Sequence, residues 1–174
     1  MVGHGTRRRQ LRGPLRYGEA AGEAEVGLRR FRCLSCRAVL NVGPPEALRY
    51  RLFSAVAIAW ALALFGIVRE SSSAVRQRIS PWRVVGATAA GGWQTLRRWL
   101  LSAAKGQLLP GAGAATGPPR KVAARLGYAL AANAPPTFVS RPVAEQAVIG
   151  ALQSAMGITP CASLPADSTT QGRF

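Results

Sequence analysis

Acidic and imidazole side chains are scarce in this chain of 174 residues. Asp167 is the only Asp, His4 is the only His, and the other acidic residues are six scattered Glu. A two-metal nuclease or recombinase needs several carboxylates around its cations, and a triad hydrolase needs a His beside its nucleophile. The sequence contains neither set. We therefore expect that the protein is not an enzyme.

Lysine is almost as rare as aspartate, although the chain is strongly basic. Lys105 and Lys121 are the only Lys among 23 basic residues, and the formal net charge is +16. Such a chain is attracted to polyanions, nucleic acid above all. Part of the bias toward Arg, Ala and Gly can come from genomic base composition, so the positions of the arginines are more informative than their number. Hydrophobic residues make up 48% of the chain, which is enough to form a core.

An apolar leader and a set of paired cysteines are also missing. Residues 1–16 are rich in Arg and contain no apolar run, unlike a secretory signal peptide. Cys33 and Cys36 lie too close together for an ordinary disulfide framework, and Cys161 is far away in the sequence. We therefore expect a protein of a reducing compartment, the cytoplasm.

The pattern of hydrophobic residues predicts a mainly α-helical fold that begins with a small basic β-hairpin. Residues 28–33 and 38–42 have the composition of short strands, with Cys33-Leu34-Ser35-Cys36 at the turn between them. The predicted parts are a basic segment in 1–48, a domain of three helices joined by short turns in 49–106, a linker in 107–119, two C-terminal helices in 120–157 and a disordered tail in 158–174.

The third predicted helix carries basic side chains beside an apolar stripe. Gln94, Arg97 and Arg98 lie outside the stripe and face away from the predicted core. A basic outer face of this kind either contacts DNA through its guanidinium groups or is simply solvated, and the sequence leaves both interpretations open. The stripe itself consists of Trp93, Leu96, Leu100 and Ala104.

Residues 52–68 contain no charged side chain. A run of this length is too long for one strand and predicts a continuous apolar helix. Its length is also at the lower limit of a membrane-spanning helix, about 17–25 residues. Two interpretations follow. One is a helix buried at the centre of a small bundle, which the high Ala content and the central Trp60 favour; the other is a single membrane span.

Cys33 and Cys36 have the spacing of one half of a tetrahedral metal site, because two thiolates separated by two residues can chelate one cation. The sequence offers few further ligands, since His4 is the only His. Three interpretations stand open: reduced thiols without a ligand, zinc held together with His4 or with a second copy of the chain, and redox activity.

Two stretches of sequence resemble the second half of the zinc ribbon at the N-terminus of bacterial insertion-sequence transposases. They are residues 3–9, Gly-His-Gly-Thr-Arg-Arg-Arg, and residues 28–36, Leu-Arg-Arg-Phe-Arg-Cys-Leu-Ser-Cys. The first Cys pair of such a ribbon is missing, as in a truncated or late-starting reading frame. Four later segments are similar to a helix-turn-helix-bearing group of transposase-related proteins that lack a nuclease domain: 53–55, 74–76, 80–83 and 92–99.

The resemblance implies an incomplete zinc ribbon, with Cys33 and Cys36 as its metal ligands, and a helix-turn-helix-like bundle that binds DNA without catalysing a reaction. It implies an accessory protein or a truncated remnant, which acts with a separate transposase polypeptide or associates with itself. The candidate DNA-binding residues are Gln94, Arg97 and Arg98 for the groove or the backbone, Arg76, Arg78 and Arg83 for flanking phosphates, and Arg7, Arg8 and Arg9 as a flexible arm.

Overall fold

In a computed structural model, a three-stranded antiparallel sheet is followed by five α-helices within residues 1–80, 82, 92–109 and 112–156, which the structure describes. The strand order in the sheet is β1-β2-β3. Arg83, Cys161 and the predicted tail at 158–174 lie outside the described residues. The elements are β1 Val2–Arg12, β2 Glu23–Arg32, β3 Val39–Val42, α1 Ala55–Gly66, α2 Ser72–Ile79, α3 Gln94–Ala104, α4 Pro119–Ala132, a 3-10 helix Pro136–Phe138 and α5 Val143–Ala155.

The predicted mainly α-helical fold is wrong, because much of the N-terminal part forms a sheet. Of the described residues, 42% are helical and 18% are in strands, so the fold is an α/β mixture. The hairpin expected at 28–42 is present as the pairing of β2 with β3. The strand that the sequence did not predict is β1, in which Arg7, Arg8 and Arg9 show no alternation of polar and apolar residues. Pairing with β2 holds this segment extended, so it is not a flexible arm.

Helix α1 is apolar on all sides and is enclosed by the rest of the protein. All ten residues from Ala55 to Leu64 are buried. The helix packs mainly against α4 and α5, and less extensively against α2. A helix of this composition requires cover around its whole circumference. Within the described ranges, no helix has the length and apolarity that crossing a bilayer requires.

Two glycines allow the helices around α1 to approach closely. A Cβ atom at Gly66 in α1 would collide with the backbone of Ala124 in α4, and one at Gly150 in α5 would collide with the carbonyl oxygen of Leu130 in α4. Glycine is therefore required at both positions because backbone lies where a side chain would be. The two C-terminal helices that the sequence predicts are present, and they form one layer against α1.

Strand β1 is joined to the start of α1 by hydrogen bonds. Arg12 donates its N–H to the Leu52 carbonyl at 2.9 Å, and Ser54 donates its N–H to the Arg12 carbonyl at 3.0 Å. The hydroxyl of Ser54 accepts the N–H of Ala57 at 2.9 Å and donates to the carbonyl of Pro14 at 2.6 Å. One fully buried hydroxyl thus caps α1 and holds the chain that leaves β1.

The predicted helix-turn-helix-like bundle includes residues 81 and 83–91, between α2 and α3, and these lie outside the described residues. The buried stripe of α3 differs from the predicted one, because Trp99 is buried where the sequence predicts Leu100. The ring of Trp99 packs edge-on against Phe53 and Trp93, with centroid distances of 5.2 and 5.1 Å. This aromatic cluster sets the rotation of the helix about its axis.

We predict that Ser54→Ala lowers the free energy of unfolding by about 2–3 kcal/mol, because it leaves the Ala57 N–H and the Pro14 carbonyl buried without a partner. Ser71 caps α2 in the same way but is exposed, so Ser71→Ala is a matched control with an expected loss of about 0.5–1 kcal/mol. Urea denaturation followed by circular dichroism measures both values. Equal losses in the two variants would contradict the role of Ser54 as a buried junction.

Candidate nucleic-acid interface

A basic groove of about 650 Å³ lies between strand β1, the edge strand β3 and the segment that precedes α1. The walls come from elements that are distant in sequence and adjacent in the fold. The polar and aromatic residues that line the groove are Arg7, Arg9, Asn41, Arg49, Tyr50 and Arg51.

The alternation of side chains along β1 separates its three consecutive arginines. Arg7 and Arg9 are on the face that also carries the buried Leu11, whereas Arg8 is on the opposite face, because successive residues of a strand point in opposite directions. Arg8 forms an ion pair with Glu25 at 3.0 Å on that opposite face. Only two of the three arginines therefore reach the groove.

The two sides of the groove are connected by arginine hydrogen bonds. Arg9 donates to the backbone carbonyl of Arg51, and Arg51 in turn donates to the carbonyl of Gln107 at 2.9 Å. Arg49 lies over the ring of Tyr50, with its guanidinium carbon 4.7 Å from the ring centroid, and donates to the Tyr50 hydroxyl at 2.8 Å. These acceptors are uncharged, so the contacts position the guanidinium groups without neutralising their positive charges.

The positive charge of the groove has no matching carboxylate among the described residues. The ion pairs found there join Arg8, Arg12 and Arg78 to glutamates, and none includes Arg7, Arg9, Arg49 or Arg51. Burial and the neighbouring charge of Arg7 both lower the pKa of Arg9. An Arg stays protonated at physiological pH in spite of such a shift, so the groove remains cationic. Its chemistry is that of an anion-binding surface.

The basic residues predicted on the third helix lie elsewhere. Gln94, Arg97 and Arg98 are exposed on α3, as the sequence predicts, and none of them lines the basic groove. Arg97 borders a mainly apolar cavity of about 620 Å³ instead. The structure thus divides the predicted DNA-binding residues between at least two surfaces.

The remaining predicted phosphate ligands are partly engaged within the protein. Arg78 forms an ion pair with Glu70 at 3.2 Å. Arg76 is half-buried, and its Nε atom is buried with no hydrogen-bond partner in the structure. Of the eight predicted residues that the structure describes, only Arg7 and Arg9 line the groove.

Arg49, Tyr50 and Arg51, which line the groove opposite β1, are not among the site residues predicted from the sequence. Their signal in the sequence is an aromatic residue between two arginines, directly before the uncharged stretch. That alternation is typical of surfaces that combine stacking with phosphate contacts. The predicted boundary between the parts at 1–48 and 49–106 passes through this site.

The Cys33-Leu34-Ser35-Cys36 segment forms the turn between β2 and β3, where the N–H of Cys33 donates to the Ala38 carbonyl at 2.9 Å. The backbone N–H of Cys36, the Cys36 thiol and the backbone N–H of Ser35 donate to the Cys33 sulfur and lower its pKa. Two thiols supply half of the four ligands of a structural zinc ion. Nowhere in the described part of the chain do three or more His, Cys, Asp or Glu residues come together as metal ligands. The described residues of one chain therefore do not complete a zinc site.

Comparison with protein-family models, curated proteins and solved structures finds no match to this chain. The assignment of a function therefore depends on the geometry and charge of the surfaces described above. The groove is the surface that combines a concave shape, several arginines and an exposed aromatic ring.

We predict that Cys33 reacts with iodoacetamide at lower pH in the folded protein than in the urea-denatured chain. Hydrogen bonds from Cys36 and Ser35 stabilise the thiolate, which is the reactive form, so they lower the pKa of Cys33 and the midpoint of its pH–rate profile lies below that of the denatured chain. Mass spectrometry of the alkylated peptides resolves Cys33 from the other cysteines. Coincident midpoints for Cys33 in the two states would contradict the hydrogen bonding.

Proposed function

We propose that this chain is a non-enzymatic DNA-binding protein, related to insertion-sequence transposases as an accessory protein or a truncated remnant, and that it binds DNA through the basic groove. The observation that carries the proposal is the cluster of four arginines around one concave surface, with no carboxylate partner among the described residues. The sequence resemblance of residues 3–9 and 28–36 to insertion-sequence transposases is the reason for proposing that relationship.

Arginine suits a phosphate backbone better than lysine does, because its planar guanidinium can donate two parallel hydrogen bonds to one phosphate. Arg7 and Arg49 are both exposed, so their side chains can reach a backbone that lies along the groove. Contacts of this kind fix the position of the nucleic acid and are largely independent of base sequence. We therefore propose binding with little sequence specificity.

Helix α3 offers a second surface for the same ligand or for a protein partner. Arg97 and Arg98 are exposed side by side on it. We propose that any transposition chemistry is supplied by a separate transposase polypeptide, because the sequence has one His and one Asp and thus lacks a catalytic set of its own. Zinc fits this proposal if further ligands, such as those of a second copy of the chain, complete the pair of thiols at Cys33 and Cys36.

We predict that the affinity for DNA falls steeply with added salt, and that Arg7→Ala with Arg49→Ala reduces the slope of log K against log salt concentration by about two. These two arginines are chosen because Arg9 and Arg51 also donate to backbone carbonyls and so contribute to the fold. Fluorescence anisotropy with a labelled duplex at several salt concentrations measures the slope.

The matched control is Arg97→Ala with Arg98→Ala, which removes the same charge from α3. We expect this variant to lose less affinity than the groove variant does. The reverse order would place the DNA contact on α3 and refute the groove as the site. Affinity that is absent, or independent of salt, for both the duplex and a single strand of the same length would refute DNA binding itself.

A further inference from the structure

The exposed ring of Tyr50 distinguishes the groove from a purely electrostatic surface. Tyr50 is 84% exposed, whereas the large aromatic residues Phe53, Trp93 and Trp99 are buried together. The Tyr50 ring is therefore not part of the hydrophobic core. Because it lies on the wall of a groove lined by arginines, the groove is complementary to a ligand that has both negative charge and a flat apolar surface.

We propose that the groove holds single-stranded DNA, with an unpaired base stacked on the ring of Tyr50; this inference rests on the function proposed above and names the form of DNA that is bound. An unpaired strand presents both its phosphates and the faces of its bases. A duplex presents its phosphates and the edges of its bases but not their faces, because the bases are stacked on each other, so it gains nothing from an aromatic side chain at this site.

The backbone holds Tyr50 in an outward position. Its φ is 58°, in the left-handed region that residues other than glycine seldom adopt. Tyr50 lies in a tight turn in which Arg51 donates its N–H to the carbonyl of Leu48 at 3.3 Å, and Leu48 itself is buried. Conformations of this kind persist where the surrounding structure fixes them, often at ligand-binding positions.

Arg49 covers one face of the Tyr50 ring and leaves the other face open. Its guanidinium lies over the Tyr50 ring at 4.7 Å from the centroid, and the high exposure of the ring means that its second face is in contact with solvent. A base on that second face would complete a stack of guanidinium, tyrosine and base. Arg7, Arg9 and Arg51 line the same groove and are available to the phosphates on either side of that base.

The test compares a short oligothymidine with a duplex of equal length, using the full chain and fluorescence anisotropy at fixed salt concentration. Tyr50→Ala is expected to weaken binding of the single strand about fivefold or more and to leave duplex binding within about twofold. Tyr50→Phe keeps the ring and is expected to bind as the unmodified protein does. An abasic strand of the same charge is expected to bind the unmodified protein only as tightly as oligothymidine binds Tyr50→Ala.

Two further variants separate the ring from other effects. Tyr50→Gly removes the ring but accepts the positive φ without strain, so it is expected to match Tyr50→Ala. Tyr128, exposed on α4 and not part of the groove, provides the control Tyr128→Ala, which is expected to leave both affinities unchanged. A loss in Tyr50→Ala but not in Tyr50→Gly would overturn the proposal, because backbone strain and not stacking would then be the cause.

The outcomes also separate this inference from the function on which it rests. If the unmodified protein binds both forms of DNA with steep salt dependence and Tyr50→Ala affects them equally or not at all, stacking is overturned and DNA binding stands. If the unmodified protein binds neither form, both proposals are overturned.

Discussion

The requirement to cover α1 on every side organises the rest of this protein. A helix without charge, buried from Ala55 to Leu64, is stable only because α4 and α5 approach it closely and the chain from β1 closes over its N-terminus. Ser54 connects these parts, since its hydroxyl caps the helix and binds the Pro14 carbonyl. The segment before α1 is therefore held against the sheet, and the basic groove lies along that boundary.

The few acidic residues determine which arginines keep an unbalanced charge. The register pairs Glu23 with Arg12, and paired residues of neighbouring strands lie on the same face of the sheet. Because successive residues of a strand alternate between faces, Arg12, Glu23 and Glu25 all lie on the face opposite the groove. The two glutamates form ion pairs there with Arg12 and Arg8. The groove face of β1 and β2 contains no carboxylate, so the strand pairing itself separates a nearly neutral face from a cationic one.

Elements whose signal in the sequence is local were predictable, whereas those that depend on pairing between distant segments were not. The C-terminal helices and the turn at Cys33 follow from periodicity and composition, and both are present. Strand β1 forms by pairing with β2, whose residues lie 20 or more positions away in places. Which face of α3 is buried depends on the contact of Trp99 with Phe53. Neither feature was visible in a local sequence pattern. The groove was missed for the same reason: its two walls meet only after folding.

The positive charges that make the groove an anion-binding surface also work against the fold. Arg7 lies close enough to Arg9 to contribute to lowering its pKa, so the guanidinium groups repel one another when the groove holds no anion. Carbonyl acceptors at Arg51 and Gln107 hold two of the side chains in place but cannot cancel this repulsion. A bound polyanion would supply the negative charge that the groove lacks, and a ligand that binds only the folded state stabilises it. The same arginines would then link the stability of the sheet boundary to occupation of the groove.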